Sequence, residues 1–218
     1  MAELLLEPLS EEIPARMQAK AAASLERLLC EGLKEARLDY SNAQSFVTPR
    51  RLTVTVDGLP AEQPDISVER KGPKVDAPEK AIQGFLKSTG LTLDQCEQRE
   101  TPKGAVWFAV SEEKGRPTAE VLADLVSTAL ENLAWAKSMR WGAGRERWVR
   151  PIHSLLCLLD GAVVPASFHN CPAGATTRGH PMLSDGDIAV KDFAGYRDDL
   201  RAAFVMLDAA ERAQVIRD

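Results

Sequence analysis

Cysteine is scarce in this sequence. Cys30, Cys96, Cys157 and Cys171 stand far apart, with no CxxC spacing. In a cytosolic protein of 218 residues such scatter reads as free thiols rather than a disulfide frame. Long hydrophobic runs are missing too. No stretch reaches the roughly 18 apolar residues of a transmembrane helix, so none is expected. The opening, MAELLLEPLSEE, places Glu3 and Glu7 where an export signal is basic, and its apolar run is short. That reading expects no signal peptide and a cytoplasmic protein. No P-loop lysine pattern, internal repeat or low-complexity linker occurs. Positive charge is in deficit, with 27 Lys and Arg against 32 Asp and Glu, a net of −5. This argues against indiscriminate polyanion binding and leaves room for a local basic patch.

Apolar residues make up 44% and charged residues 27%, an ordinary globular composition that excludes a disordered tail or a collagen-like fibre. Glu3–Glu7 reads as a buried strand. Ser10, Glu11, Glu12 and Pro14 form a helix start, with Ser10 as the capping hydroxyl. Met17, Ala21, Leu25, Leu28 and Leu29 then keep helical spacing to about Cys30–Ala36. Phe46–Gly58 alternates Leu52, Val54 and Val56 against Thr53, Thr55 and Asp57, a strand with one buried and one wet face, interrupted at Pro49. Ile66–Arg70 is a short strand, Pro78–Lys87 a helix ended by Gly90, and Arg99–Glu113 a hairpin turning at Lys103-Gly104. Pro117 opens a core helix through Leu133. Ile152–Phe168 is strand–turn–strand about Asp160-Gly161. Asp192–Ala203 reads as a helix and Phe204–Leu207 as a strand. Asp208-Ala-Ala-Glu211 resembles a capping box. The helix it opens meets no stop signal before Asp218, so a fragment of a longer polypeptide is expected. The fold class is α+β, mixed or antiparallel sheets with packed helices. Two units are expected, 1–115 and 116–218, the second holding a basic, tryptophan-rich segment.

That segment, KSMRWGAGRERWVRPIH at 137–153, sets Lys137, Arg140, Arg145, Arg147 and Arg150 against Glu146 alone. Trp141 and Trp148 lie within it, and Gly142 and Gly144 suggest a permissive loop. Guanidinium forks beside indole faces suit RNA contacts or an arginine-rich protein interface. The plainer reading is core tryptophans with solvated arginines, and both stand at this level.

Other tempting motifs carry less. His153, Cys157, His169 and Cys171 suggest zinc, but four residues of strand span about 13 Å, too far for one ion with bonds of about 2.0–2.3 Å. Gly142-Ala143-Gly144 lacks the strand and helix of a nucleotide loop. Ser154 and His153 are strand neighbours facing opposite ways, not a nucleophile and its base. No catalytic or metal-ligating residue is assigned. Thr176-Thr177-Arg178-Gly179-His180 gathers hydroxyls, a guanidinium and an imidazole about a glycine, either an anion contact or a surface turn.

Eight segments, in order, resemble one family, the beta subunit of the bacterial heterotetrameric glycyl-tRNA synthetase. They are LLLEPLSEEIPAR at 4–16, VTPRRL at 47–52, ERKGP at 69–73, AIQGFL at 81–86, KSMRWG at 137–142, RWVRPIHSLLCLLDG at 147–161, TTRGH at 176–180 and LDAAERAQVI at 207–216. Pro8 and Leu9 depart from the family's Ile-Gly pair, and Pro181 stands where it usually has a basic residue. The resemblance implies an N-terminal fragment of a subunit of a glycine–tRNA ligase. The class II active site, with its ATP and magnesium, would lie on the alpha subunit, so this fragment needs no cofactor of its own. The partners implied are the alpha subunit and tRNA(Gly), in an alpha2-beta2 heterotetramer without a membrane. Arg140, Trp141, Arg147, Trp148, Arg150 and His153 are the expected tRNA or alpha-subunit contacts, with Arg50, Arg51, Lys71, Arg178 and His180 as secondary candidates. The region also resembles, less closely, the editing module of phenylalanyl-tRNA synthetase beta subunits. The alternatives are therefore an editing-type deacylase and a purely structural scaffold.

Overall fold

The computed structural model describes residues 1–102, 104–142 and 147–218. Lys103 of the expected hairpin turn lies outside them, as do Gly144, Arg145 and Glu146 of the basic segment. In chain order the elements begin with β1 (Ala2–Ser10), α1 (Ala15–Glu35), β2 (Asn42–Thr48) and β3 (Arg51–Leu59). There follow β4 (Ile66–Lys74), α2 (Glu79–Thr89), β5 (Cys96–Thr101), β6 (Gly104–Glu113) and α3 (Thr118–Asn132). The remainder is β7 (Ile152–Leu159), β8 (Ala162–Val163), β9 (Ser167–Phe168), β10 (Cys171–Gly174), β11 (Thr176–Arg178), β12 (Asp187–Ala189), α4 (Phe193–Ala202) and α5 (Ala209–Arg217). The α+β class holds.

The domain boundary is corrected. Met1–Gln63 and Arg116–Asp218 form one compact unit, and Pro64–Gly115 forms a second, inserted one. The expected cut after residue 115 marks only the return from that insertion. Strand pairing explains why: β1 lies between β3 and β7, joining the start of the chain to residues beyond 150.

In the larger unit the sheet order is β2-β3-β1-β7-β10-β9, antiparallel except where β10 runs parallel to β7, and β8 pairs with β7. Successive residues of β1 point to opposite faces. Leu4 and Leu6 join the core built with α1 and α3, which includes Leu25, Leu29, Leu122 and Val126. Leu5 joins a second core with Leu156, Leu158, Tyr196 and Leu200. The sheet is thus covered on both faces. The expected wet face of β3 is accordingly buried: Thr53 and Thr55 are closed off beneath the segment carrying α4.

Several local readings are also corrected. Phe46–Gly58 is a hairpin rather than one bent strand, with Pro49 and Arg50 between β2 and β3, paired from Thr48↔Arg51 outward. Ser10 ends β1 and caps nothing; Pro14 stands at the N-terminus of α1, where a missing N–H costs little. Phe204–Leu207 forms no strand. Asp160-Gly161 is the turn expected, with φ of 47° and 77°, the left-handed pair that suits a tight hairpin. The Asp208 carboxylate accepts the Ala210 N–H, while Glu211 pairs with Arg201 instead of closing the capping box.

The inserted unit is a three-stranded antiparallel sheet, β4-β6-β5, with α2 ending at Gly90 in the left-handed conformation. Lys71 sits in it, exposed on β4.

Candidate functional site: a basic cavity over a buried ion pair

Glu7 is a lone acid in an apolar strand and is fully buried. A buried carboxylate demands partners. Its position on the face shared by Leu5 and Leu9 supplies them. Thr177 Oγ1 donates to Glu7 Oε1 at 2.6 Å, and Tyr196 Oη donates to Oε2. Arg51, only 3% exposed, brings its Nε to 3.0 Å from Oε2, an ion pair set off the line of the N–H. Thr53 Oγ1 lies 2.9 Å from Tyr196 Oη and completes the network. Burial pushes the Glu7 carboxyl up from its ordinary value, and the Arg51 charge and both hydroxyls pull against it. Burial also pushes the Tyr196 phenol well up, reinforced by the Glu7 charge, so it is the donor of the pair.

Above this network opens a cavity of about 640 Å³, lined by residues of five separate segments. The end of β1 and the residues after it contribute Leu9 and Glu12, the β2–β3 turn and the start of β3 contribute Arg50 and Arg51, β7 contributes His153, the end of β11 and the stretch after it contribute Arg178, His180 and Asp185, and the last segment contributes Phe204 and Arg212. Arg51 Nη2 donates to the Arg178 carbonyl at 2.6 Å, tying two of these segments together. Its Nη1 has no hydrogen-bond partner among the described residues, and the side chain lines the cavity. Arg50 Nη2 donates to Glu11 Oε1 at 3.0 Å, and His153 Nε2 lies 2.6 Å from the same oxygen. The hydrogen bond from His153, helped by the Arg50 charge, holds the Glu11 carboxyl below its usual range. Arg178 Nε donates to Asp187 at 2.7 Å across the β11–β12 pair. His180 accepts the Met182 N–H at Nδ1, which leaves Nε2 as the protonated nitrogen of the neutral ring.

Arg212 differs from the others. Among the described residues its guanidinium is gripped only by the neutral carbonyls of Val47, Met206 and Leu207, at 2.7–2.9 Å. Burial lowers its pKa, opposed by the charge of Asp208. Neither Arg212 nor Phe204 was a candidate from the sequence, Arg212 entering only within the resembling segment at 207–216, because each depends on where the chain turns after α4. Glu7 did carry one: an acid inside ELLLEPL must be paired or neutralised once the strand is buried.

The structure thus divides the expected contact patch. Trp148 is 1% exposed and packs edge-on to Trp135 and Phe168, with ring centres 5.0 and 4.9 Å away. It is a core residue and cannot grip a partner. Trp141 is half-buried and packs on the same core, with its ring 5.5 Å from that of His169. Arg150 turns back to the Val149 carbonyl at 2.7 Å. Arg140 and Arg147 are exposed beside the Met139–Trp148 bridge. His153 leaves that group and joins Arg50, Arg51, Arg178 and His180 at the cavity. Lys71 belongs to the other unit. Leu9 and Pro181, two of the departures from the family pattern, line the cavity, while Pro8 sits inside β1. Pro8 pairs with Leu155, but toward β3 the ladder passes from Leu6↔Val54 to Leu9↔Arg51, because proline has no N–H to offer. Among the described residues no group of three or more His, Cys, Asp or Glu could hold a metal ion. No helix there is long and apolar enough to cross a membrane.

Fold and site define a mixed α+β module whose chemistry is a cavity lined by four arginines and two histidines, with Glu12 and Asp185 beside them, seated on a buried ion pair. Residues 4–218 match the family model of the glycyl-tRNA synthetase beta subunit. A glycine–tRNA ligase beta subunit of Paracoccus denitrificans is 52% identical over 221 residues, covering 100% of this chain and 32% of that protein. Those of Dinoroseobacter shibae and Cereibacter sphaeroides are 53% and 54% identical, each over 99% of this chain and 31% and 32% of their own. This chain belongs to the glycyl-tRNA synthetase beta subunit family. It spans about a third of the length of these curated relatives.

Proposed function

We propose that the chain serves ATP-dependent attachment of glycine to tRNA(Gly) in the cytoplasm, as part of a beta subunit whose alpha partner holds the active site with its ATP and magnesium. Within that enzyme its larger unit holds tRNA phosphates at the cavity mouth. The observation that carries this reading is the convergence of Arg50, His153, Arg178 and His180 from three separate segments onto one opening. Guanidinium groups bind phosphate oxygens bidentately, and their salt bridges with Glu11 and Asp187 pre-set them without consuming every N–H.

The test is tRNA binding by the full heterotetramer. Replacing Arg50 and Arg178 with alanine is expected to weaken binding and to flatten its dependence on salt, since each lost phosphate contact removes about 0.7–0.9 from the logarithmic slope. An unchanged slope and affinity would refute the reading.

A second reading concerns the other expected residues. Arg140 and Arg147 flank Met139, whose side chain is exposed, beside the half-buried Trp141. Methionine, tryptophan and arginine are the residue types that dominate protein interfaces. We assign the Met139, Arg140, Trp141 and Arg147 side chains to docking of the alpha subunit. Gel filtration of an Arg140→Ala, Arg147→Ala variant tests it, with dissociation of the heterotetramer as the expected result.

A further inference from the structure

Phe204 presents its ring to solvent at the cavity rim, 63% exposed, from a backbone at φ +62°. Both facts run against ordinary preference. An aromatic ring gains by burial, and a bulky residue in the left-handed region is strained. The conformation is fixed from both sides: the Phe204 N–H reaches the Arg201 carbonyl at 3.1 Å and the Val205 N–H reaches Leu200 at 2.8 Å. Glycine would end α4 more cheaply, yet a phenyl ring stands there.

Inside the rim the cavity is not a flat basic surface. Its lining combines the apolar side chains of Leu9, Val205 and Met206 and the acids Glu12 and Asp185 with two guanidiniums, those of Arg51 and Arg212, that have unspent capacity. Arg51 keeps Nη1 free among the described residues, and Arg212 meets only neutral carbonyls, so its charge has no bonded carboxylate. The phosphates of a duplex lie on a convex rod and cannot reach groups held within a concavity. An unstacked nucleotide can: it has a flat apolar face for an aromatic ring and an anionic group for arginine, and a volume of about 640 Å³ lies in the ordinary range for small-molecule pockets, about 300–1,000 Å³.

We propose that this cavity binds one unpaired nucleotide, its base stacked on the Phe204 ring and its phosphate held by Arg212 and the free Nη1 of Arg51. The inference rests on the reading of the mouth as an RNA contact and sharpens it from backbone gripping to capture of a single-stranded residue. A free nucleoside monophosphate offers the same chemistry as a nucleotide within RNA.

The test uses the full heterotetramer with three probes: a short labelled single-stranded RNA, a blunt-ended RNA duplex, and adenosine and uridine monophosphates as competitors, with inorganic phosphate as control. Single-stranded RNA is expected to bind, and nucleoside monophosphates are expected to displace it better than phosphate alone. Phe204→Ala should weaken the single strand by about tenfold, in the range of one lost base stack, and leave the duplex unchanged. Phe204→Tyr should restore binding. Phe204→Gly separates this role from a structural one: it relieves the backbone, so the protein should melt no lower while binding falls as in Phe204→Ala. If single strand and duplex bind alike and neither responds at Phe204, the nucleotide site is refuted while gripping at the mouth stands. If monophosphates bind and respond at Phe204 but no RNA binds, the site stands and the tRNA reading fails. If Phe204→Ala instead releases the alpha subunit with RNA binding intact, the rim is a protein contact and the proposal is overturned.

Discussion

Replacing Arg51 with methionine removes the charge from beneath the cavity while keeping most of the packed stem. At 3.0 Å, and with an effective dielectric of about 20, the lost attraction to Glu7 amounts to about 5.5 kcal/mol. That figure is not the expected cost, because Glu7 has an alternative. It can take up a proton, and at about pH 7 doing so from an ordinary value of 4.5 costs about 3.4 kcal/mol. The smaller number wins, so the variant folds with a neutral Glu7. Loss of the bond from Arg51 Nη2 to the Arg178 carbonyl adds about 1 kcal/mol at any pH. The sign follows from linkage. A carboxyl whose folded pKa is raised binds more protons folded than unfolded, so its contribution to stability is greatest below 4.5 and falls as pH rises to the folded value. Burial already raises Glu7 in the parent, which therefore bears part of the same penalty, and about 4 kcal/mol is the upper limit for Arg51→Met at about pH 7. At about pH 5 the protonation cost is only about 0.7 kcal/mol, and the deficit should shrink to between 1 and 2 kcal/mol, roughly. Hydrogen exchange of the β1 and β7 amides, corrected for intrinsic rates, reads this sheet separately from the inserted unit. A deficit equal at both pH values would show that Glu7 keeps its charge without Arg51, and the argument would fail.

Two further outcomes follow from packing and burial. Gly179 lies against the start of the last segment: a Cβ there would stand 2.4 Å from Ala203 Cβ and 2.7 Å from the Ala203 carbonyl oxygen, beside the bond from the His180 N–H to that oxygen at 2.9 Å. Gly179→Ala should therefore cost about 1–3 kcal/mol and loosen the cavity wall, visible as faster exchange at His180; unchanged exchange would mean the wall yields freely. Burial pushes the Cys157 thiol up to about 12, whereas Cys30, Cys96 and Cys171 are only partly covered. A thiol reagent applied to the native protein at about pH 8 should modify those three and spare Cys157, since only the thiolate reacts; peptide mass spectrometry showing early labelling of Cys157 would refute its burial.

Much of the fold is written in local pattern. The α1 stripe, the Asp160-Gly161 turn, and the helix behind Pro117 rest on periodicity and turn chemistry, which act over a few residues and survive any tertiary setting. What pattern could not give was the second cover on the sheet. Thr53 and Thr55 look like a solvent face until Tyr196 and Leu200 arrive from more than 130 residues away to bury them. The inserted unit escaped for the same reason, since the pairing of β1 with β7 is a long-range fact with no local mark. Trp148 shows the limit of composition. Arginine and tryptophan side by side suggest a gripping surface, but the indole had nearer partners in Trp135 and Phe168, and the core took it.

The site was legible in its parts and not in its assembly. Arg50, Arg51, Arg178, His180 and His153 were each singled out, yet nothing in their spacing says that they share one opening. What unites them is Glu7. Its carboxylate fixes Arg51 on β3, Thr177 on β11 and Tyr196 on α4, so three segments distant in sequence are ordered by one buried acid. A hydrophobic substitute for the pair could match its stability, because the desolvation of two charges consumes most of what their attraction returns. Such a core would still lack the outcome seen here: a guanidinium fixed in the cavity lining with its Nη1 unbonded among the described residues. On the proposed nucleotide reading the buried pair is the mount of a binding group more than a source of stability, and Arg51→Met is then expected to weaken nucleotide binding as well as part of the fold.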